Sequence, residues 1–237
     1  MPSGKTYVIS DIHGHYQAYL QILDAIQLKV HDRLYIVGDV LDRGPAPITL
    51  LQDIMKRPNV ELLLGNHELF ALLVLDVLVT GNTQEIPLSK QALLQGWSIR
   101  GAMPTITEFQ NITKEKQQEI LSYLQRCAYT KSLQIGQRRY LLAHTDMPVI
   151  HNPQQADYHV NLSNALRIYR DEPLVPDGIL ISGHTPTHRI DWRHQGQIIQ
   201  GNHTIFLDCG PSRLGCLCLD DLSETYVPVK MDESWWF

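Results

Sequence analysis

The segment Thr6-Tyr7-Val8-Ile9-Ser10-Asp11-Ile12-His13-Gly14 begins as an apolar run and stops abruptly at a carboxylate. A short run of this kind suits a strand buried on both faces, with the polar residues in the loop that leaves it. The pattern recurs. Residues 34–37 are apolar and lead into Gly38-Asp39, and residues 60–64 lead into Gly65-Asn66-His67-Glu68. Between these strands, residues 16–28 carry apolar side chains at helical spacing, and residues 48–55 read as a helix ended near Pro58. Strand, loop and helix alternating over the first 80 residues predict a parallel α/β arrangement.

Further along, the texture changes. Residues 81–130 read as a helical insert beside the strand ends, with an amphipathic helix over 113–126 whose wet side is Glu115, Lys116, Gln117 and Gln118. Residues 133–135 and 140–143 flank Gly136-Gln137, which predicts a hairpin. Ile179–Ser182 is another strand, ending at Gly183-His184, and short strands are expected at 197–199, 204–207, 215–219 and 225–229. The expected fold class is therefore mixed α/β, with parallel crossovers early and antiparallel strands late.

Composition narrows the function. With 237 residues and 43% hydrophobic content the chain can bury a sizeable core. A formal net charge of −5 argues against a broad nucleic-acid surface, which needs clustered Lys and Arg. The longest apolar segment, 69–79, carries Asp76 and is too short to span a bilayer. No signal-peptide layout precedes the first strand, so a cytoplasmic location and no membrane partner are expected. The four cysteines, Cys127, Cys209, Cys216 and Cys218, form no CxxC pair and read as free thiols, with Cys216 and Cys218 on one face of a strand.

Five strand ends carry chemistry: Asp11-Ile12-His13, Gly38-Asp39, Gly65-Asn66-His67, His144 after Leu141-Leu142-Ala143, and Gly183-His184. Sites in open α/β sheets assemble at the carboxyl ends of strands. Taken singly, a strand-end histidine is more often a hydrogen-bonded structural residue, and Asp or Asn there is usually a turn former. Five strands ending alike weaken that reading. Imidazole, carboxylate and amide oxygen together favour Mn, Fe or Zn over Mg or Ca, and Asp39 can bridge two such ions.

Ser10-Asp11-Ile12-His13-Gly14, Gly38-Asp39-Val40-Leu41-Asp42-Arg43-Gly44, Gly65-Asn66-His67-Glu68, His144 and Gly183-His184-Thr185-Pro186 together resemble the ordered signature of the phosphoprotein phosphatase family of metallophosphatases. The pattern is most similar to small bacterial and phage-lambda-type serine/threonine phosphatases. His144-Thr145-Asp146 resembles their His-Ala-Asp and departs from the eukaryotic His-Ala-Gly. The resemblance implies a central β-sandwich of mixed sheets flanked by helices, with residues 1–237 as a single calcineurin-like metallophosphatase domain. It implies that Asp11, His13 and Asp39 hold one divalent transition metal and that Asp39, Asn66, His144 and His184 hold a second. Mn is the expected metal, with Fe or Zn as alternatives. Arg43 is implied to grip phosphate oxygens, and His67, oriented by Asp42, to protonate the leaving oxygen. A second phosphate-binding arginine is implied between the late histidines. Arg170 is the candidate and Arg167 the alternative.

The activity implied is a metal-dependent phosphomonoesterase acting on phosphoserine and phosphothreonine in proteins, by direct attack of a metal-bridging hydroxide. Two alternatives stand beside it: a symmetrical bis(5'-nucleosyl)-tetraphosphate hydrolase, and a catalytically inactive phosphate-binding module. The expected partners are thus a phosphorylated protein or a small phosphoester, with no nucleic acid and no membrane. His15, His31, His151, His159, His188, His194 and His203 lack a strand-end setting and read as structural. Asp146 reads equally as a turn residue, and Trp235-Trp236-Phe237 reads as packing back onto the domain.

Overall fold

The computed structural model describes residues 4–80, 88–145, 175 and 177–230. The chain begins with β1 (Thr6–Ile9), α1 (Tyr16–Ala25), β2 (Arg33–Val37), α2 (Pro47–Met55), β3 (Val60–Leu63) and α3 (Asn66–Thr80). Three further helices follow: α4 (Leu88–Ile99), α5 (Met103–Gln110) and α6 (Lys114–Arg126). Then come β4 (Thr130–Ile135), β5 (Arg138–Ala143), β6 (Ile179–Ser182), a short α7 (Thr187–Ile190), β7 (Ile199–Gln200), β8 (Thr204–Phe206), β9 (Arg213–Cys218) and β10 (Glu224–Pro228).

The strands form two five-stranded sheets, in the orders β10-β9-β1-β2-β3 and β4-β5-β6-β8-β7. Alternation along β1 and β2 shows why both faces of the first sheet are apolar. Val8, Tyr35 and Val37 point between the sheets, where Tyr140, Leu142, Ile181 and Ile205 meet them. Tyr7, Ile9, Leu34 and Ile36 point the other way, onto Tyr19 and Ile22 of α1, Ile48 and Leu51 of α2, Phe70 of α3 and Leu124 of α6. Cys216 and Cys218 share that helix-side face while Leu217 faces the sandwich interior. Fully burying each such Leu or Ile contributes about 1.5–3 kcal/mol. The predicted β-sandwich flanked by helices is therefore present, and the insert contributes three helices.

The structure adds one element and corrects two local expectations. Residues 69–79 belong to α3, which starts at Asn66 and so carries the third strand-end motif in its first turn. The late strands are not uniformly antiparallel: β5, β6 and β8 run parallel, whereas β4–β5, β7–β8, β1–β9 and β9–β10 are antiparallel. Gln117 lies on the buried side of α6, where its amide donates to the Phe109 carbonyl at 2.7 Å. The hairpin is as expected, with Ile135 opposite Arg138 and Gly136 at φ 57°, which a two-residue turn needs at its first position. Among the described residues all four cysteines are free, and no helix is long and apolar enough to cross a membrane.

Parallel β1, β2 and β3 and parallel β5, β6 and β8 bring their carboxyl ends together at one edge of the sandwich. The polar strand ends converge there.

Candidate active site

Asp39 is the hub. Its Oδ2 lies 3.1 Å from His144 Nε2 and 3.8 Å from both His13 Nε2 and His67 Nε2. Asn66 Oδ1 lies 3.2 Å from His144 Nε2 and 2.9 Å from His184 Nδ1. The His184 N–H donates to both Asp11 oxygens, at 3.1 and 3.0 Å, which ties the end of β6 to the end of β1. Asp11 Oδ1 is 4.0 Å from His13 Nε2. All six residues expected to bind metal thus meet in one cluster.

Close approach shapes this edge. A Cβ on Gly65 would collide with Asp39 Oδ1, and one on Gly183 would collide with Asp11 Oδ2. Of the nine non-glycine residues with positive φ among those described, six are Asp11, His13, Asp39, Asp42, Arg43 and His184. Left-handed backbone costs of order 1–3 kcal/mol each for such residues and persists where surrounding contacts impose it. Glu68 is one source of those contacts. Fully buried, it accepts the N–H groups of Asp39, Val40, Leu41 and Gly65 at 2.8, 2.9, 3.1 and 2.9 Å, clamping the β2 and β3 loops together.

The electrostatics follow from burial and mutual proximity. Burial works to neutralise His144, but Asp39 outweighs it and raises the imidazole to about 10. Burial likewise opposes the charge on Asp39, yet His144 and His67 hold it well below the usual carboxylate range. Asp11 is pushed well up by burial and then by Asp208. His13 is pushed well down by burial, with Arg43 and His67 adding to it, and His184 falls to about 4 through burial and the neighbouring His144.

The donor set fits divalent transition metals. Ligand atoms of Asp39, His144 and His184 all lie within 4.8 Å of one another, as do those of His13, Asp39 and His67. His13 Nδ1 donates to the Leu41 carbonyl at 3.0 Å and His144 Nδ1 to the Val37 carbonyl at 2.8 Å. Each bond keeps a hydrogen on Nδ1 and so reserves Nε2 for a metal, which would bind it in place of any proton there. Proximity alone would count His67 as a ligand too. Its surroundings argue otherwise: Nδ1 is bonded to Asp42 at 2.5 Å, and Nε2 faces Arg43 Nη2 at 3.4 Å, next to a fixed positive charge.

Arg43 is exposed at this edge, as a phosphate-gripping residue needs to be. Arg170, Arg167, Asp146 and Trp235-Trp236-Phe237 lie outside the described residues. Sequence reasoning quoted Glu68 within the third motif but gave it no role, and missed Trp97, Thr105 and Asp208. Asp208 was findable, because residues 204–207 form one more apolar run ending at a carboxylate, and it is buried beside Asp11. His15 and His188, read as structural, line a cavity of about 390 Å³ next to Asp11, His13 and Arg43, with Arg189 also on its wall.

A sandwich whose strand ends gather carboxylate, amide and imidazole donors around one carboxylate is the architecture of a metal-dependent phosphoesterase. The chain belongs to the calcineurin-like phosphoesterase family, whose sequence model matches residues 4–215. It is 39% identical over 71 residues to a symmetrical bis(5'-nucleosyl)-tetraphosphatase of Nitrosomonas europaea, covering 29% of this chain and 26% of that one. It is 28% identical over 168 residues to a protein of the same name from Coxiella burnetii, covering 69% and 49%. The chain thus spans about half or less of the length of these curated relatives.

Among solved structures, a provisionally assigned diadenosine tetraphosphatase superposes with a TM-score of 0.59 at 15% identity, covering 98% of this chain and 96% of that one. A Saccharomyces cerevisiae protein serine/threonine phosphatase superposes with a TM-score of 0.53 at 13% identity, covering 98% and 82%. Those likenesses bear on fold alone. The metallophosphatase class expected from the motifs is borne out at the level of the calcineurin-like phosphoesterase family. These curated relatives are named as dinucleotide tetraphosphatases and not as lambda-type protein phosphatases.

Proposed function

We propose that this chain is a metal-dependent hydrolase of small nucleoside polyphosphates, acting as a symmetrical bis(5'-nucleosyl)-tetraphosphatase. The observation that carries the reading is the cavity beside the metal cluster. Arg43, Arg189, His15 and His188 line it, and all can donate to phosphate oxygens. A phosphomonoester presents one phosphate. A tetraphosphate chain presents several anionic groups in a row, and those flanking the scissile bond need cationic partners away from the metals. The names of the curated relatives agree with this choice.

In this reading Asp11, His13 and Asp39 would hold one metal, and Asp39, Asn66, His144 and His184 the other, Mn being favoured and Fe or Zn the alternatives. The metals would supply Lewis acidity and an activated water. Arg43 orients the reacting phosphate. His67, held by Asp42, keeps a proton within reach of the departing oxygen. Hydrolysis in the middle of the chain yields two nucleoside diphosphates, whereas asymmetric cleavage yields a tri- and a monophosphate. Side-by-side turnover of diadenosine tetraphosphate and a phosphoserine peptide at saturating Mn²⁺ tests the assignment. Diphosphate as the sole nucleotide product and faster turnover of the dinucleotide are expected. Preference for the peptide would restore the protein phosphatase reading.

A further inference from the structure

The Asp42 carboxylate is fully buried, and three donors converge on it. His67 Nδ1 reaches Oδ2 at 2.5 Å, the Trp97 indole N–H reaches the same oxygen at 2.5 Å, and the Thr105 hydroxyl reaches Oδ1 at 2.6 Å. Two of the three come from the helical insert. Trp97 lies on α4 and Thr105 on α5, and both are completely buried. Between them, the Gly101 carbonyl accepts the Arg43 N–H at 2.8 Å. Residues 97, 101 and 105, spaced by four, therefore hold the Asp42-Arg43 pair, both members of which have left-handed backbone, φ 70° and 61°.

The donor inventory fixes the protons. An indole nitrogen can only donate. The Thr105 oxygen already accepts the Asp42 N–H at 2.9 Å, so its own hydrogen is directed to the carboxylate. With both oxygens receiving, Asp42 acts as an acceptor toward His67, whose Nδ1 must carry hydrogen. That bond keeps the Nδ1 hydrogen directed at the carboxylate, so the proton His67 can give is the Nε2 proton of its imidazolium form, and the bond sets the ring plane and with it the direction of Nε2 toward Asp39 and Arg43.

We propose that Trp97 and Thr105 are positioning residues for proton transfer: the insert orients Asp42, and Asp42 orients His67 as the group that protonates the leaving oxygen. The proposal rests on that role for His67. Core tryptophans usually find some partner for their N–H. Here the partner is the carboxylate that orients the acid, and a second insert side chain occupies its other oxygen. The insert thereby belongs to the reaction, beyond any effect on substrate access.

The test compares phenyl phosphate, a poor leaving group, with p-nitrophenyl phosphate, a good one, at saturating Mn²⁺. Trp97→Phe keeps the ring and removes the donor. Thr105→Val keeps the shape and removes the hydroxyl, and Thr105→Ser restores it. Trp97→Phe and Thr105→Val are each expected to lower kcat on phenyl phosphate about tenfold more than on p-nitrophenyl phosphate, a fraction of the 10²–10⁴-fold that a general acid contributes. KM and bound metal should be unchanged, and Thr105→Ser should recover most of the loss. Combined with His67→Asn, Trp97→Phe should add less than about twofold, since the group it positions is gone.

Equal losses on both substrates, or a full Trp97→Phe loss persisting in the His67→Asn background, would overturn the proposal. Leaving-group dependence in His67→Asn with none in either insert variant would sink the positioning role and spare the acid. No dependence in His67→Asn would sink both.

Discussion

Glu68 holds Asp39 by its backbone: the buried carboxylate accepts the Asp39 N–H at 2.8 Å and, through the same oxygen, the Gly65 N–H at 2.9 Å. The other oxygen takes Val40 and Leu41. Burial, and then Asp39, push the Glu68 carboxyl up, and the N–H groups of Gly65, Leu41 and Asp39 pull against that shift. Removing it would leave those donors without an acceptor, at about 1–3 kcal/mol each where water cannot enter. Glu68→Ala should therefore destabilise the chain by at least ~3 kcal/mol and reduce bound Mn²⁺. Denaturant unfolding and elemental analysis would check this. An unchanged midpoint would mean that the loops are held by something else.

Asp39 itself should couple two metals. His144 and His13 Nε2 lie 3.1 and 3.8 Å from Asp39 Oδ2, and both proximity clusters of candidate ligands contain Asp39. Asp39→Asn is expected to lower both metal equivalents together. His184→Asn, which alters a residue of one cluster alone, should chiefly lower one. Metal counting on the two purified variants decides it, and the same single-equivalent loss in both would contradict a bridging carboxylate.

The strand-end constellation was legible in sequence because it is local. Asp11, Asp39, Asn66, His144 and His184 each end an apolar run, and the peptide geometry that turns the chain there leaves a readable mark in Gly38, Gly65 and Gly183. That the central strands are buried on both faces was legible for the same reason, through continuous apolar runs, whereas the sandwich itself came from the family resemblance. Trp97 and Thr105 were not. They sit 55 and 63 residues from Asp42 in an insert whose pattern reads only as amphipathic helix, and nothing local distinguishes a tryptophan that bonds a carboxylate from one that fills a core. The parallel pairing of β5, β6 and β8 was hidden too, because it depends on crossovers between strands too short to show direction.

The Asp39–His144 pair predicts how the metal-free chain responds to pH. Asp39 holds the His144 imidazole at about 10, above its ordinary value of 6.5, despite the opposing effect of burial. A folded-state value above the unfolded one stabilises fully below about pH 6.5 and loses that contribution as pH rises through about 10. Asp39 stays ionised across this window, since its own value is depressed. Chelated protein should thus show a Tm that falls between pH 6.5 and 10. In Mn²⁺-loaded protein the coordinating nitrogen carries no proton, so this part of the slope should vanish. Thermal scans in both states test the point, and parallel curves would remove the ion pair from the account.

The cavity makes the sharpest prediction about substrate. Arg43 lines the cavity together with the candidate ligands Asp11 and His13, and its Nη2 lies 3.4 Å from His67 Nε2, so it should contact the reacting phosphate of every substrate. Arg189 lies on the cavity wall and is exposed, on the short α7 that follows His184. It should meet only substrates long enough to reach it. Arg43→Ala should then cost about 2–4 kcal/mol in kcat/KM on p-nitrophenyl phosphate and on diadenosine tetraphosphate alike. Arg189→Ala removes a charge-assisted hydrogen bond worth about 1.5–3 kcal/mol, or roughly 10–150-fold in kcat/KM, and should do so for the dinucleotide far more than for the aryl ester. Raising salt should weaken the dinucleotide's advantage, because Arg189 is solvent-exposed and its attraction is screened. The measurement is kcat/KM for both substrates on both variants. An Arg189→Ala loss of equal size on p-nitrophenyl phosphate would mean that the arginine supports the fold around His184 and does not read substrate length, and the polyphosphate assignment would lose its structural footing.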